Sequence, residues 1–303
     1  MVFWILKVKN FLYRILFKKI FLEGRFNLKE KSFIDELSQE ERRALKENHP
    51  IQPQLIFKII RSEGEEELNR KTVALAFSAL AAGIFVSFSF FFRAVLHLHM
   101  GNSQFEPIVS SLGYTVGFVI VILGRMQLFT ENPITTIIPL LCNFTTKEFF
   151  KVVRLWSIVF FFNIVGTSIA ALFFSHDFAV SIEISNALHE VAINVMKLPA
   201  IDNLIRGIPA GIIIAVLVWI APQTKNFRLA TIIFLVYFIA LGEFAHVVVG
   251  SCEMAFEVID GEADFFDYFF RFLIPTFFGN VVGGAGIFTL LIYNQVREEL
   301  KNK

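Results

Sequence analysis

The stretch Leu229–Val258 reads LATIIFLVYFIALGEFAHVVVGSCEMAFEV, an apolar run cut near its midpoint by Gly242-Glu243 and His246. A second stretch, Pro107–Asn143, reads PIVSSLGYTVGFVIVILGRMQLFTENPITTIIPLLCN and is cut at Gly124-Arg125 and again at Thr130-Glu131-Asn132-Pro133. A straight crossing of a bilayer needs about 20 residues. At 30 and 37 residues, both stretches are too long for one straight crossing and too short for two. One crossing made of two half-helices around an irregular break fits each. An unpaired backbone group in hydrocarbon costs several kcal/mol, so such breaks survive only where they line a cavity or pack within protein. A matched pair of them, one in each half of a chain, points to a transport pathway.

The rest of the 303 residues suits that setting. Hydrophobic residues make up 55% of the chain, above the 45–50% of soluble domains, and the mean hydropathy is +0.62. Residues 1–71 hold 15 of the 28 Lys and Arg, so a polar arm (1–71) precedes one membrane domain (72–296) and a short tail (297–303). At the start, Lys7, Lys9, Arg14, Lys18 and Lys19 interrupt any signal-peptide core. Trp4, Ile5, Val8, Leu12, Ile15, Leu16 and Ile20 recur at helical spacing instead, which predicts either an amphipathic helix on an anionic leaflet or a helix docked on the membrane domain.

Apolar segments fall at about 72–96, 107–143, 153–175, 204–222, 229–258 and 268–294, giving six crossings with the second and fifth broken. The arm, Lys147/Lys151/Arg154, Lys225/Arg228 and Arg297/Lys301/Lys303 fall on one side. The loops 97–106, 176–203 and the acidic 260–264 fall on the other, carrying Lys197 as their single cation. The positive-inside rule then places both termini in the cytoplasm. Three echoes link the halves: Ala82-Gly83-Ile84 with Ala210-Gly211-Ile212, Leu123-Gly124-Arg125 with Leu241-Gly242-Glu243, and Asn163-x-x-Gly166 with Asn280-x-x-Gly283. With three crossings per half, the halves are inverted. The predicted fold is therefore an all-α membrane protein with six transmembrane helices in a 3+3 inverted repeat, its working site near the midplane.

His246 is the one histidine within a predicted crossing. It can hand a hydrogen bond or proton to a weak-acid anion, or it can bond a carbonyl exposed by the break. Arg125 and Glu243 are intramembrane charges, each costing about 2.5–3.5 kcal/mol to insert at the bilayer centre. They could pair with each other across the breaks, or Arg125 could draw anions to the inner mouth. Leu128-Phe129-Thr130 before the Glu131-Asn132-Pro133 break makes an apolar constriction with one polar contact, though Phe129 could equally be packing. Gly279-Asn280-x-x-Gly283-Gly284 lets the last span approach its neighbours closely, with Asn280 bonding a helix or the backbone freed at the break. Gly124 and Gly242 open the breaks themselves.

Other chemistry is poorly supported. His97-x-His99 lacks a third metal ligand, and His189-Glu190 lacks the second histidine of a zinc-protease helix. Two cysteines, Cys142 and Cys252, make neither a disulfide framework nor a zinc site. No phosphate-binding glycine loop, cofactor motif or nucleic-acid module is present. A hydrolase using Ser251 or Ser168 with His246 is a distant rival.

Several short motifs together resemble the formate/nitrite transporter family, in a branch with a longer charged amino-terminal arm, over about residues 61–298. They are Arg61-Ser-Glu-Gly-Glu-Glu-Glu-Leu68, Leu128-Phe129-Thr130, Arg206-Gly207-Ile208-x-x-Gly211, Gly242-Glu243-Phe244-Ala245-His246 and Gly279-Asn280-x-x-Gly283-Gly284. The resemblance implies an aquaporin-like protomer in a homopentamer of a bacterial-type inner membrane, with one pathway per protomer. It assigns the constriction to Leu128, Phe129 and Thr130 and the pore wall to His246. It also implies substrates such as formate, nitrite, hydrosulfide or lactate, crossing as the neutral acid. Two departures stand out: Ala245 and Gly250 replace the glutamate before the histidine and the asparagine four residues after it, and Arg125 places a charge close to the first break where the better-known members are uncharged. The expected function is a non-enzymatic channel or proton-linked transporter for a small monovalent anion or its conjugate acid, with no cofactor, metal or nucleic acid and with lipid as surroundings. A pore for small neutral solutes is the alternative on the same scaffold.

Overall fold

A computed structural model describes residues 38–40, 51–176, 178–224 and 226–301. The amphipathic stretch near the amino terminus lies outside them. The chain forms two compact units, 1–55 and 56–303. Every regular element among the described residues is helical: α1 (Pro53–Leu68), α2 (Thr72–Val86), α3 (Phe88–Met100), α4 (Glu106–Leu123), α5 (Asn132–Cys142), α6 (Thr146–Phe174), α7 (Ile182–Met196), α8 (Ala200–Ile220), α9 (Arg228–Leu241), α10 (Val247–Ile259), α11 (Ile274–Val281) and α12 (Leu290–Lys301). Five helical stretches are long and apolar enough to cross a membrane: Thr72–Met100, Glu106–Leu123, Thr146–Phe174, Ala200–Ile220 and Asp267–Glu299. Arg228–Leu241 is apolar but shorter.

Local sequence explains several boundaries. Thr145 accepts a hydrogen bond from the Glu148 amide at 3.2 Å, the cap expected of a Thr-x-x-Glu start to α6. Pro107 and Pro133 stand in the first turns of α4 and α5, where their missing N–H groups cost nothing. The last stretch winds more loosely over Asp267–Leu273 and Val282–Thr289, an adjustment frequent at working sites.

Glycines decide how closely the long helices cross. A Cβ on Gly83 would collide with the Asn163 carbonyl, and one on Gly166 with Leu80, so α2 and α6 meet at backbone contact. The same relation holds between α8 and the last stretch, through Gly211 against Asn280 and Gly283 against Ile208. In lipid, where burial gives little incentive for helices to associate, this close fit supplies the cohesion.

Two expectations need correction. The loop 176–203 contains a helix, α7, whose buried Ala187, Leu188, Val191 and Ala192 pack on α3 and α10. The first span also runs to Met100 rather than 96, which puts His97 and His99 on it. Both misreadings arise because a hydropathy run detects uniform greasiness and overlooks an amphipathic helix or a polar last turn.

Candidate functional site

The segments 124–131 and 242–246 are built alike. α4 ends with the Gly124 amide on Ile120 O (2.8 Å) and the Met126 amide on Val121 O (3.0 Å), and Arg125 between them adopts φ 53°. α9 ends with Gly242 on Phe238 O (3.0 Å) and Phe244 on Ile239 O (2.9 Å), and Glu243 adopts φ 50°. A left-handed residue at this place is how helices commonly satisfy their last carbonyls, and glycine usually provides it.

Each segment is then held by one asparagine. Asn163 Oδ1 accepts from the Phe129 amide (2.8 Å), while its Nδ2 donates to Ala79 O (2.8 Å) and Gln127 O (3.0 Å). Asn280 Oδ1 accepts from the Val247 amide (2.9 Å), while its Nδ2 donates to Gly207 O (2.8 Å) and Ala245 O (2.9 Å). Both asparagines are fully buried. Backbone groups left over where the helices stop thus find partners inside the protein.

His246 brings the two segments together. Its ring is 2% exposed, with Phe118 edge-on at 4.9 Å. The Val249 amide donates to Nδ1 at 3.3 Å, so the neutral ring carries its proton on Nε2. That nitrogen lies 2.8 Å from Thr130 Oγ1. His246 therefore caps α10 and spans to the other segment, while the Thr130 hydroxyl proton stays available to a third partner. Leu128 and Phe129 are fully buried next to this pair. Phe129 stacks on Phe277 at 5.1 Å, with Phe160 at 5.0 Å and Trp156 at 5.6 Å, each contact worth about 0.5–1.5 kcal/mol beyond burial.

On one side of His246 lies a cavity of ≈ 50 Å³, lined among others by Arg93, Tyr114, Arg206, Glu243, His246 and Glu253. A buried water needs about 10–15 Å³, so the space suits a solute of a few heavy atoms. His246, Gly250 and Glu253 line it from one face of α10. A Cβ on Gly250 would run into the Phe272 ring, so the departure at 250 is matched by an aromatic filling that space.

The charges expected to pair with each other are found apart. Glu243 bonds Arg206 Nη1 at 2.9 Å, and Arg125 acts electrostatically on Glu63. The half-exposed Arg206–Glu243 pair contributes at most about 1 kcal/mol. Asn132 and Pro133 open α5, and Gly284 lies against Pro133 and Gly211.

The histidine pairs do not converge on a ligand. His97 bridges Glu106 (2.7 Å) and Glu190 (2.8 Å), His99 bonds Val95 O (2.7 Å), and His189 bridges Glu257 (3.0 Å) and Asp260 (3.2 Å). Ser251 and Ser168 give their hydroxyl protons to Val247 O and Ile164 O of their own helices. Sequence reasoning missed Gln127, Arg93, Tyr114 and Glu253. Their signal was isolated polarity inside apolar runs.

With the geometry in hand, the comparisons agree on one class of protein, the membrane transport proteins. The model of the family described as "Formate/nitrite transporter" matches residues 54–294, and the chain belongs to that family. It is 35% identical over 254 residues to "Inner membrane protein YfdC" of Escherichia coli (strain K12), covering 84% of this chain and 82% of that one. It is 26% identical to "Formate channel BtFdhC" of Bacillus thuringiensis, covering 77% and 91%. Two solved structures share the fold. "FNT family ion channel" has a TM-score of 0.70 at 16% identity, covering 79% of this chain and 98% of that one. "Pentameric formate channel with formate bound" has a TM-score of 0.64 at 17% identity, covering 75% and 98%.

Proposed function

We propose that this chain conducts a small monovalent anion such as formate or nitrite, or its conjugate acid, through a pathway between the segments 124–131 and 242–246, with proton linkage. The contact that carries the reading is the hydrogen bond between Thr130 and His246 beside the cavity, which joins the two segments. Leu128 and Phe129 form the greasy side of that constriction, excluding hydrated ions because stripping their water is unfavourable. Thr130 offers its hydroxyl proton to the permeant, and His246 Nε2 sustains that orientation. Gly124, Asn132, Pro133, Gly242, Asn280, Gly283 and Gly284 shape the breaks and the close packing around them.

The architecture we infer is six crossings in a 3+3 inverted repeat with the second and fifth interrupted. The matching helix ends and asparagine bonds support it, with Asn163 and Asn280 in corresponding roles. The charge distribution favours an arm at 1–71, a membrane domain at 72–296 and a tail at 297–303, with both termini in the cytoplasm. Relatives named as an inner membrane protein and a pentameric formate channel support an inner-membrane homopentamer.

Uptake of labelled formate or nitrite into proteoliposomes across a pH series tests this. Wild type should carry flux that rises on acidification, and His246→Ala should reduce it by about tenfold or more. Equal fluxes in both proteins would remove His246 from the mechanism. A pH-independent flux of neutral solutes would point to a simple pore.

A further inference from the structure

A second polar network, centred on Glu67, Gln127 and Asn132, involves the segment that also carries Thr130. Glu67, near the end of α1, accepts from Gln127 Nε2 at 3.0 Å and from Thr135 Oγ1 at 2.8 Å. Gln127 Oε1 in turn accepts from Asn132 Nδ2 at 3.1 Å. There the hydrogens run out. Asn132 is 1% exposed and its Oδ1 has no partner among the described residues, and neither does the buried Glu131 Oε1. The charges of Glu131, Glu67 and Glu63 also act on one another. A buried acceptor without a donor costs about 1–3 kcal/mol, and neighbouring carboxylates relieve their repulsion by retaining a proton. What this network lacks is hydrogen, not another acceptor.

We propose that one carboxyl of the Glu67–Glu131 set retains a proton in this network, and that the permeating weak acid exchanges with it. The exchange rests on the proposed anion conduction; the proton site itself does not. In the exchange, the O–H bond of a glutamic acid breaks as an O–H bond forms on the permeant carboxylate. The negative charge passes to the protein, and no redox change occurs. Glu67 is partly rather than fully buried. Burial pushes its carboxyl up from the usual range, against the Thr135 and Gln127 bonds and the Arg70 charge, with Glu66 adding to the rise. The charged groups facing the site are Glu63, Glu66 and Arg70 from α1 and the turn after it, Arg125 and Glu131 from the break, and Arg228 from the start of α9.

The pH effect has a definite sign. A carboxyl whose folded value is raised favours the fold below its unfolded value, and that contribution disappears as pH rises through the folded value. The unfolding temperature of the full-length wild type should therefore decline as pH is raised from the ordinary carboxylate range. Glu67→Gln, which retains an acceptor for Thr135, should lose that decline, and its formate flux in proteoliposomes should lose the acid-side rise. Glu67→Asp should retain both. Should Glu67→Gln and Glu131→Gln both keep the wild-type unfolding profile, the proton site is overturned. A wild-type unfolding temperature set by sodium rather than acidity, and lost in Glu67→Gln, would overturn it in favour of a metal cation. If wild type carries neither formate nor nitrite at any pH while Glu67→Gln still flattens the unfolding profile, the transport reading fails and the proton site stands.

Discussion

Asn280 binds three backbone groups from two parts of the chain: the Val247 amide, the Ala245 carbonyl and the Gly207 carbonyl. Truncation leaves all three buried without partners, at roughly 1–3 kcal/mol each before any relaxation. Asn280→Ala should therefore cost roughly 3 kcal/mol or more, read as a lowered unfolding temperature in detergent. Asn280→Asp, which keeps the Val247 bond alone, should cost less than Ala only at pH values where its carboxyl is protonated and can donate. Much of this chemistry was legible as residue types, since an asparagine and a histidine in apolar runs must find partners. Their targets were not. Thr130 and His246 stand 116 positions apart, and no periodicity announces a contact of that span.

At the scale of elements, α7 was the feature least visible beforehand. Its apolar residues recur at helical spacing, but Glu183, Asn186, His189, Glu190 and Asn194 keep the stretch from reading as greasy. In the fold it is fastened by two imidazoles, each set between two carboxylates. His97 of α3 reaches Glu106 and Glu190, and His189 of α7 reaches Glu257 and Asp260. A protonated imidazole serves two carboxylates by donating from both nitrogens. Because α7 also supplies Asn194 and Val195 to the cavity wall, these bonds keep one side of the chamber in place. His97→Gln and His189→Gln together should speed amide hydrogen exchange across 182–196 by about tenfold or more, with either single variant intermediate. Unchanged exchange in the double variant would show that apolar packing alone retains α7.

Across the whole molecule two helix contacts at backbone distance recur, α2 with α6 and α8 with the last stretch. The glycine positions were readable as echoes in the sequence. The backbone contacts behind them were not, because a glycine's spacing does not reveal which carbonyl it faces. Gly211→Val would drive a branched side chain into the Asn280 backbone, where nothing flexible can give way. We expect it to abolish recovery of monodisperse protein from detergent. Gly286→Ala, whose Cβ would meet nothing closer than 4.0 Å, should leave recovery unchanged.

The left-handed turns at Arg125 and Glu243 carry a consequence of their own. A side-chain-bearing residue in that conformation costs about 1–2 kcal/mol relative to glycine. Both turns thus hold some backbone strain, and each bears a charge: Glu243 pairs with Arg206 on the cavity wall, and Arg125 stands in the field of Glu63. In the proposed pathway, a change of salt or of neighbouring charge would act on these turns directly, and so on the space between the two segments.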